Sequence, residues 1–220
     1  MAVTADADLM KITKFAHSCL LVEEGSVRIL TDPGNYSTKQ NDVKNIDAVL
    51  VTHEHPDHCD PSSLKAILAN SPNVRILTNK GVGALLDKEG ISYSLLERGQ
   101  SLDVKGVKIE TYGEKHAMMY PTWPIVDNTG YLIAGKLFHP GDSFTVPSKK
   151  VELLALPVAA PWLKLSEYID YVKAVKPKTC FPIHDAMLKS AALLYTITPK
   201  LLESTGIKFV PMDADAVSDF

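Results

Sequence analysis

Cysteine is scarce in this chain. The three present, Cys19, Cys59 and Cys180, are odd in number and far apart. That spacing excludes a disulfide framework and leaves free thiols. An export signal is not expected either: the opening Met-Ala-Val-Thr-Ala-Asp-Ala-Asp has neither a basic start nor an apolar stretch. Free thiols without a leader give a cytoplasmic location as the expectation. No apolar run approaches the roughly 20 residues that a membrane-spanning helix needs, so no membrane span is expected. Basic charge is in short supply too. The 23 Lys and Arg are outnumbered by 26 Asp and Glu, for a net charge of −3, whereas nucleic acid asks for a basic face. The adjacent pair Lys149-Lys150 reads as a solvated loop. An arginine cluster, a glycine-rich phosphate cradle and internal repeats are all absent from the sequence.

What remains is 220 residues, 45% of them hydrophobic. That suffices for one well-buried core and is short for two ordinary domains. The reading is therefore a single domain over 1–220, with 212–220 as a loose tail. Short β-rich runs at 11–15, 19–23, 27–31, 48–52, 75–78, 108–113, 129–133, 136–139, 153–157, 179–183 and 208–211 read as strands. Glu24-Gly25 and Ala134-Gly135 read as hairpin turns, so the sheets should be antiparallel or mixed. Asp60-Pro61 caps a helix over 62–69, Gly90 ends one over 82–89, and Ser166 opens one that stops before Pro177. Residues 186–204 read as a helix broken or kinked at Pro199. Strand clusters in both halves, each followed by helices, predict an α/β fold of two sheets packed face to face with helices outside.

The chemistry is concentrated in one stretch. The apolar run Asp47-Ala48-Val49-Leu50-Val51-Thr52 gives way at once to His53, His55, Asp57 and His58, four metal-ligand side chains in six positions. On a strand end, His53 and His55 would point to one side, with Asp57 and His58 turning in from the following loop. Imidazole and carboxylate together suit zinc, manganese or iron. Cys59 reads as a small buried residue at a helix entrance. Three later apolar strands also end in ligand-type residues, namely His116, Asp142 and His184. Counted together, these positions supply five of the seven histidines and two aspartates, which is enough for two metals.

In order, Asp32, Thr52-His53-Glu54-His55-Pro56-Asp57-His58, His116, Gly141-Asp142-Ser143 and His184 resemble the metallo-β-lactamase superfamily. Phe15-Ala16-His17-Ser18-Cys19 and Phe138-His139-Pro140-Gly141-Asp142 are similar to signatures of its compact metal-dependent hydrolases. That branch includes ascorbate-6-phosphate lactonase and the phospholipase D acting on N-acyl-phosphatidylethanolamine. The resemblance implies a four-layer αβ/βα sandwich. It also implies a first metal on His53, His55 and His116, a second on Asp57, His58 and His184, and Asp142 bridging them. Two divalent ions, zinc foremost and manganese or iron as substitutes, would share a hydroxide that attacks a small ester, lactone or phosphodiester. Asp57 would orient that nucleophile and take its proton. Asp32 would either orient a ligand histidine or serve as a turn residue before Pro33. His17 and His139 would line the cleft or sit satisfied in the core. The apolar stretch 117–126, with Tyr120 and Trp123, would form a pocket wall, fold over its own side chains or serve as a contact in a homo-oligomer. Ala160-Pro161-Trp162 would be the facing wall. The competing readings are a nuclease or phosphodiesterase of the same superfamily and a non-catalytic metal-binding scaffold.

Overall fold

The computed structural model describes residues 9–220, and the Met1–Asp8 segment read for an export signal lies outside them. In chain order the strands are β1 (Lys11–Ala16), β2 (Cys19–Glu24), β3 (Val27–Thr31), β4 (Ala48–Leu50), β5 (Arg75–Thr78), β6 (Ser94–Leu95) and β7 (Ser101–Val104). They continue as β8 (Val107–Tyr112), β9 (Gly130–Ile133), β10 (Leu137–His139), β11 (Leu153–Pro157), β12 (Thr179–Ile183), β13 (Lys208–Phe209) and β14 (Val217–Asp219). The helices are α1 (Pro61–Asn70), α2 (Lys80–Glu89), α3 (Leu165–Val175) and α4 (Ala192–Leu202).

Two seven-stranded sheets result, ordered β14-β1-β2-β3-β4-β5-β6 and β13-β12-β11-β10-β9-β8-β7. Each contains three antiparallel pairings and three parallel ones. Hairpins join β1-β2-β3 and β7-β8-β9-β10, and helices span two of the three parallel links in each sheet, β4-α1-β5-α2-β6 and β11-α3-β12-α4-β13. The expected turn at Ala134-Gly135 is present, with φ of 55° and 67° and Lys136 N donating to Ile133 O at 2.9 Å. Two successive residues with positive φ match the right-handed twist of the flanking strands.

Alternation along the strands divides the core into three layers. Leu20, Val22, Ala48, Leu50, Tyr131, Ala155, Phe181 and Ile183 meet between the sheets. Leu21, Val49 and Ile76 turn outward onto α1 and α2 residues such as Leu64, Ile67, Val82 and Leu86. Leu154, Leu156 and Cys180 do the same against Tyr168, Ile169 and Val172 of α3. The observed architecture is the predicted αβ/βα sandwich of two mixed sheets. Among the described residues no helix is long and apolar enough to cross a membrane.

Several elements depart from the sequence reading. The loose tail expected over 212–220 is instead structured. Val217–Asp219 pairs antiparallel with Lys11–Thr13, and Met10 and Phe220 exchange backbone hydrogen bonds of 2.9 Å. Its alternating small and acidic residues carry no strand signal, so pairing with β1 decides the matter. Strands β6 and β7 are only two and four residues long, which hides their pairing. The helix expected from 186 starts only at Ala192. Asp185 there is tied to Lys14 and Tyr195, and His184 has a φ of 63°, so the chain cannot enter a helix at once. Pro199 lies inside α4 without ending it.

Candidate metal centre

Strand β4 stops at Leu50, so His53 and His55 lie on a loop and not on the expected strand end. The loop runs to Asp60, whose side chain caps α1 by accepting from Ser63 N at 2.9 Å, with Pro61 at the first helical position. It is strapped to the loop after β3. Asn35 N donates to Pro56 O at 2.9 Å, and Asp60 N to Pro33 O at 3.1 Å. Gly34 between these straps lies so close that an added Cβ would stand 1.9 Å from Asp57 O.

The folded chain brings together all seven expected ligands from four loops at one edge of the sheets. His53, His55 and His116 form one group and His17, Asp57, His58 and His184 a second, with the donor atoms of each group within 4.8 Å of one another. His53 Nε2 and His55 Nδ1 are 3.0 Å apart. Asp142 stands between the groups. Its Oδ1 is 3.1 Å from His58 Nε2, and its Oδ2 is 2.9 Å from His184 Nε2 and 3.4 Å from His116 Nε2. Asp57 Oδ2 lies 3.6 Å from His184 Nε2 and 3.7 Å from His58 Nε2. Glu54 turns the other way, with its Oε2 2.9 Å from where a Cβ of Gly81 would stand on α2.

Hydrogen bonds on the far side of each ring fix which nitrogen faces inward. His58 Nδ1 donates to Asp32 Oδ2 at 2.8 Å, His116 Nδ1 to Ala117 O at 2.5 Å and His184 Nδ1 to Ala159 O at 2.5 Å. Thr52 Oγ1 donates to Asp32 Oδ2 at 2.8 Å and so accepts from His53 Nδ1 at 3.0 Å. Each of these rings therefore turns its Nε2 toward the centre, the nitrogen left to face a metal. Asp32 also accepts from Thr52 N at 2.8 Å. Of its two sequence readings, the structure matches the one that orients a ligand histidine.

Such an arrangement is costly without a cation. His58 Nε2, His116 Nε2, His184 Nε2 and Asp142 Oδ1 are buried and have no hydrogen-bond partner. Orphaned buried polar atoms cost free energy, and here they converge on shared points. Burial disfavours charge on His58, yet Asp142 and Asp32 outweigh it and hold its pKa well above the ordinary imidazole value. Burial drives the His53 pKa well down, and His58 beside it adds to the effect. Asp142 stays ionised well below the carboxylate range despite its burial, because His58 and His184 face it. Cys59 is not drawn in: burial pushes its thiol up to about 12, which suits a packed thiol and not a thiolate ligand. The donor set of imidazoles and carboxylates, with no thiolate, fits divalent cations.

The remaining expected residues part company. His17 joins the second group directly, with Nε2 donating to Asp57 Oδ2 at 3.0 Å and the ring stacked on Tyr36 at 4.4 Å. Burial lowers its pKa to about 4 against the pull of Asp57. His139 does not line a cleft. It is fully buried, its Nε2 donates to Ser18 O at 3.0 Å, and its Nδ1 accepts from Gly141 N at 3.2 Å. Both ring nitrogens are thus occupied. Tyr120 and Trp123 are 66% and 60% exposed, so the loop after His116 does not fold over these two side chains. Trp162 contributes more than a wall, since its Nε1 donates to Asp142 Oδ2 at 3.0 Å. Nothing in its spacing could have announced that contact, which spans 20 residues of sequence.

Comparison with known proteins agrees with this geometry. Residues 11–184 match the family described as the beta-lactamase superfamily domain. Protein Rv0786c of Mycobacterium tuberculosis is 37% identical over 184 residues, covering 81% of this chain and 85% of its own length. A UPF0173 metal-dependent hydrolase of Thermoplasma acidophilum is 24% identical over 189 residues, covering 80% of this chain and 83% of its own. The solved structure of a metallo hydrolase from the archaeon Ignicoccus hospitalis superposes with a TM-score of 0.76 at 20% identity, over 96% of this chain and 98% of the other. By the extent of the family match and the identity to these relatives, the chain belongs to the beta-lactamase superfamily, as one of its metal-dependent hydrolases.

Proposed function

We propose that this protein is a dinuclear hydrolase of a small ester, lactone or phosphodiester. The observation that carries the reading is Asp142, whose two oxygens face His58, His184 and His116 and so touch both ligand groups. His53, His55 and His116 would hold one ion, and Asp57, His58 and His184 the other, with Asp142 shared. Zinc suits this donor set first, and manganese or iron would be accommodated. Divalent ions held there supply Lewis acidity and make water nucleophilic near neutral pH.

The chain's own groups supply the rest. Asp57 keeps its carboxylate ionised: burial would raise its pKa, but the His17 hydrogen bond and the nearby His58 more than offset that. It can therefore orient an attacking water and accept its proton at Oδ1 while His17 Nε2 holds Oδ2 at 3.0 Å. The proton taken at Asp57 Oδ1 can pass on to the leaving group, directly or through water, while the buried His17 keeps that carboxylate aimed. With both nitrogens engaged, His139 takes no part. The net charge of −3 supports a small-molecule substrate over nucleic acid. Met118, Tyr120, Trp123 and Ile125, all exposed on one loop, support a subunit contact in a homo-oligomer.

Metal analysis of protein purified without added metal, followed by a screen of lactones, phosphodiesters and thioesters, tests the reading. Chelation is expected to remove activity and zinc or manganese to restore it. Asp142→Ala and His55→Ala should each abolish hydrolysis and lower bound metal. Full activity in either variant would sink the assignment.

A further inference from the structure

The carboxylate shared by the two ligand groups has a third neighbour that the proposed chemistry leaves without a task. Trp162, on the loop after β11, is buried, and its indole Nε1 donates to Asp142 Oδ2 at 3.0 Å. That oxygen is the one lying 2.9 Å from His184 Nε2 and 3.4 Å from His116 Nε2, one nitrogen from each group. The other oxygen, Oδ1, faces His58 Nε2 at 3.1 Å.

The choice of side chain is informative. An indole N–H is a donor only and has no lone pair to offer a cation, so it cannot compete for metal. It is also neutral and leaves the carboxylate its full charge, which a lysine or arginine there would cancel. The ring is held in turn, edge-on to Phe144 with centroids 5.3 Å apart, and it stands edge-on to His116 and His184 at 5.8 and 6.2 Å. A carboxylate's terminal torsion is broad. Without a fixed donor, Asp142 could turn its Oδ2 toward one group and away from the other.

We propose that Trp162 is a positioning residue for the metal pair, its indole N–H holding Asp142 Oδ2 in the orientation that both ligand groups share. The inference rests on the two-metal reading above. Partners of this kind typically change metal affinity by about 10–100-fold when removed.

The chain has two tryptophans, Trp123 and Trp162, so a Trp123→Phe protein reports on Trp162 alone. Cobalt(II) titrated into that protein after chelator stripping should quench its emission in step with metal uptake. Trp162→Phe keeps a ring and removes the N–H. It should weaken at least one of two bound cobalt equivalents about 10–100-fold in competition with a chromophoric chelator, while the thermal midpoint of the metal-free protein stays unchanged. A loss of affinity accompanied by an equal loss of metal-free stability would mark a merely structural role and overturn the inference. So would Trp162 emission that ignores bound cobalt, a result obtainable even if the Phe variant fails to fold. Two equivalents bound as tightly in Trp162→Phe as in the wild type would overturn this inference and leave the two-metal reading standing. A wild-type protein that takes up no cobalt would overturn both.

Discussion

Asp32 accepts three hydrogen bonds with one carboxylate, from Thr52 N, Thr52 Oγ1 and His58 Nδ1, each at 2.8 Å. It does so fully buried and at a φ of 42°, a conformation that aspartate and asparagine tolerate better than most residues. Asparagine in its place would keep the backbone and one acceptor. Its amide N–H groups would face the N–H of His58, so the ring would lose its orienting acceptor. Asp32→Asn is expected to fold and to bind one metal equivalent about 10–100-fold more weakly, read by competition with a chelator. Unchanged affinity for both equivalents would show that Asp32 serves the backbone alone. The contrast with the ligands explains what the sequence discloses at this scale. His53, His55, Asp57 and His58 are legible because their residue types are rare together and adjacent. Supporting contacts span 20 or 26 residues, as from Asp32 to Thr52 and His58, or 20 residues, as from Trp162 to Asp142, and no spacing rule connects them.

At the scale of elements, the loops matter more than the strands that carry them. The motif loop and the loop after β3 meet backbone to backbone at Gly34, where an added Cβ would stand 1.9 Å from Asp57 O and 2.6 Å from His58 N. Backbone atoms cannot yield as a flexible side chain can, so Gly34→Ala must push the two loops apart. Overpacking of this kind costs about 1–3 kcal/mol, and here the displaced residues are Asp57 and His58 themselves. The expected outcome is a lower urea midpoint together with reduced metal stoichiometry. A variant as stable and as fully loaded as the wild type would show that the loops can separate freely. Element identity was readable wherever apolar runs were bounded by turn residues, as at β3, β5, β11 and β12, whose limits coincide with the predicted ones. It was not readable at β6 and β7. β6 is only two exposed residues and β7 only four, with Leu102 and Val104 turned to the core between Ser101 and Asp103, so their neighbours in the sheet make them strands.

In the whole molecule the two halves are built alike. Each sheet runs from three antiparallel pairings into three parallel ones, and each half sends ligands from the carboxyl ends of its strands to the same edge. Open α/β sheets place ligand sites at such ends, and here two sheets do so together. That likeness is one of topology, and for that reason no internal repeat is visible in the sequence. The exception to the symmetry is β14. It follows the second half but joins the first sheet, so the chain's last residues close the edge next to β1 and, through it, the turn that carries His17. Phe220 stacks on Phe181 with ring centroids 5.5 Å apart, and its N–H and C=O are both paired with Met10. Asp215 N and Lys14 O make a further link. Deleting residues 213–220 removes a partly buried phenylalanine, worth about 1.5–3 kcal/mol when fully buried, and several hydrogen bonds of about 1 kcal/mol each. New solvation of the freed β1 edge offsets part of that loss, so a stability decrease of about 2–3 kcal/mol is expected from urea unfolding. His53, His55, His58, His116, Asp142 and His184 lie outside this segment and none of them is held by it. The truncated protein should therefore still take up metal at the His53–His55–His116 group. An unchanged urea midpoint would mean that the C-terminal strand decorates the sheet without securing it.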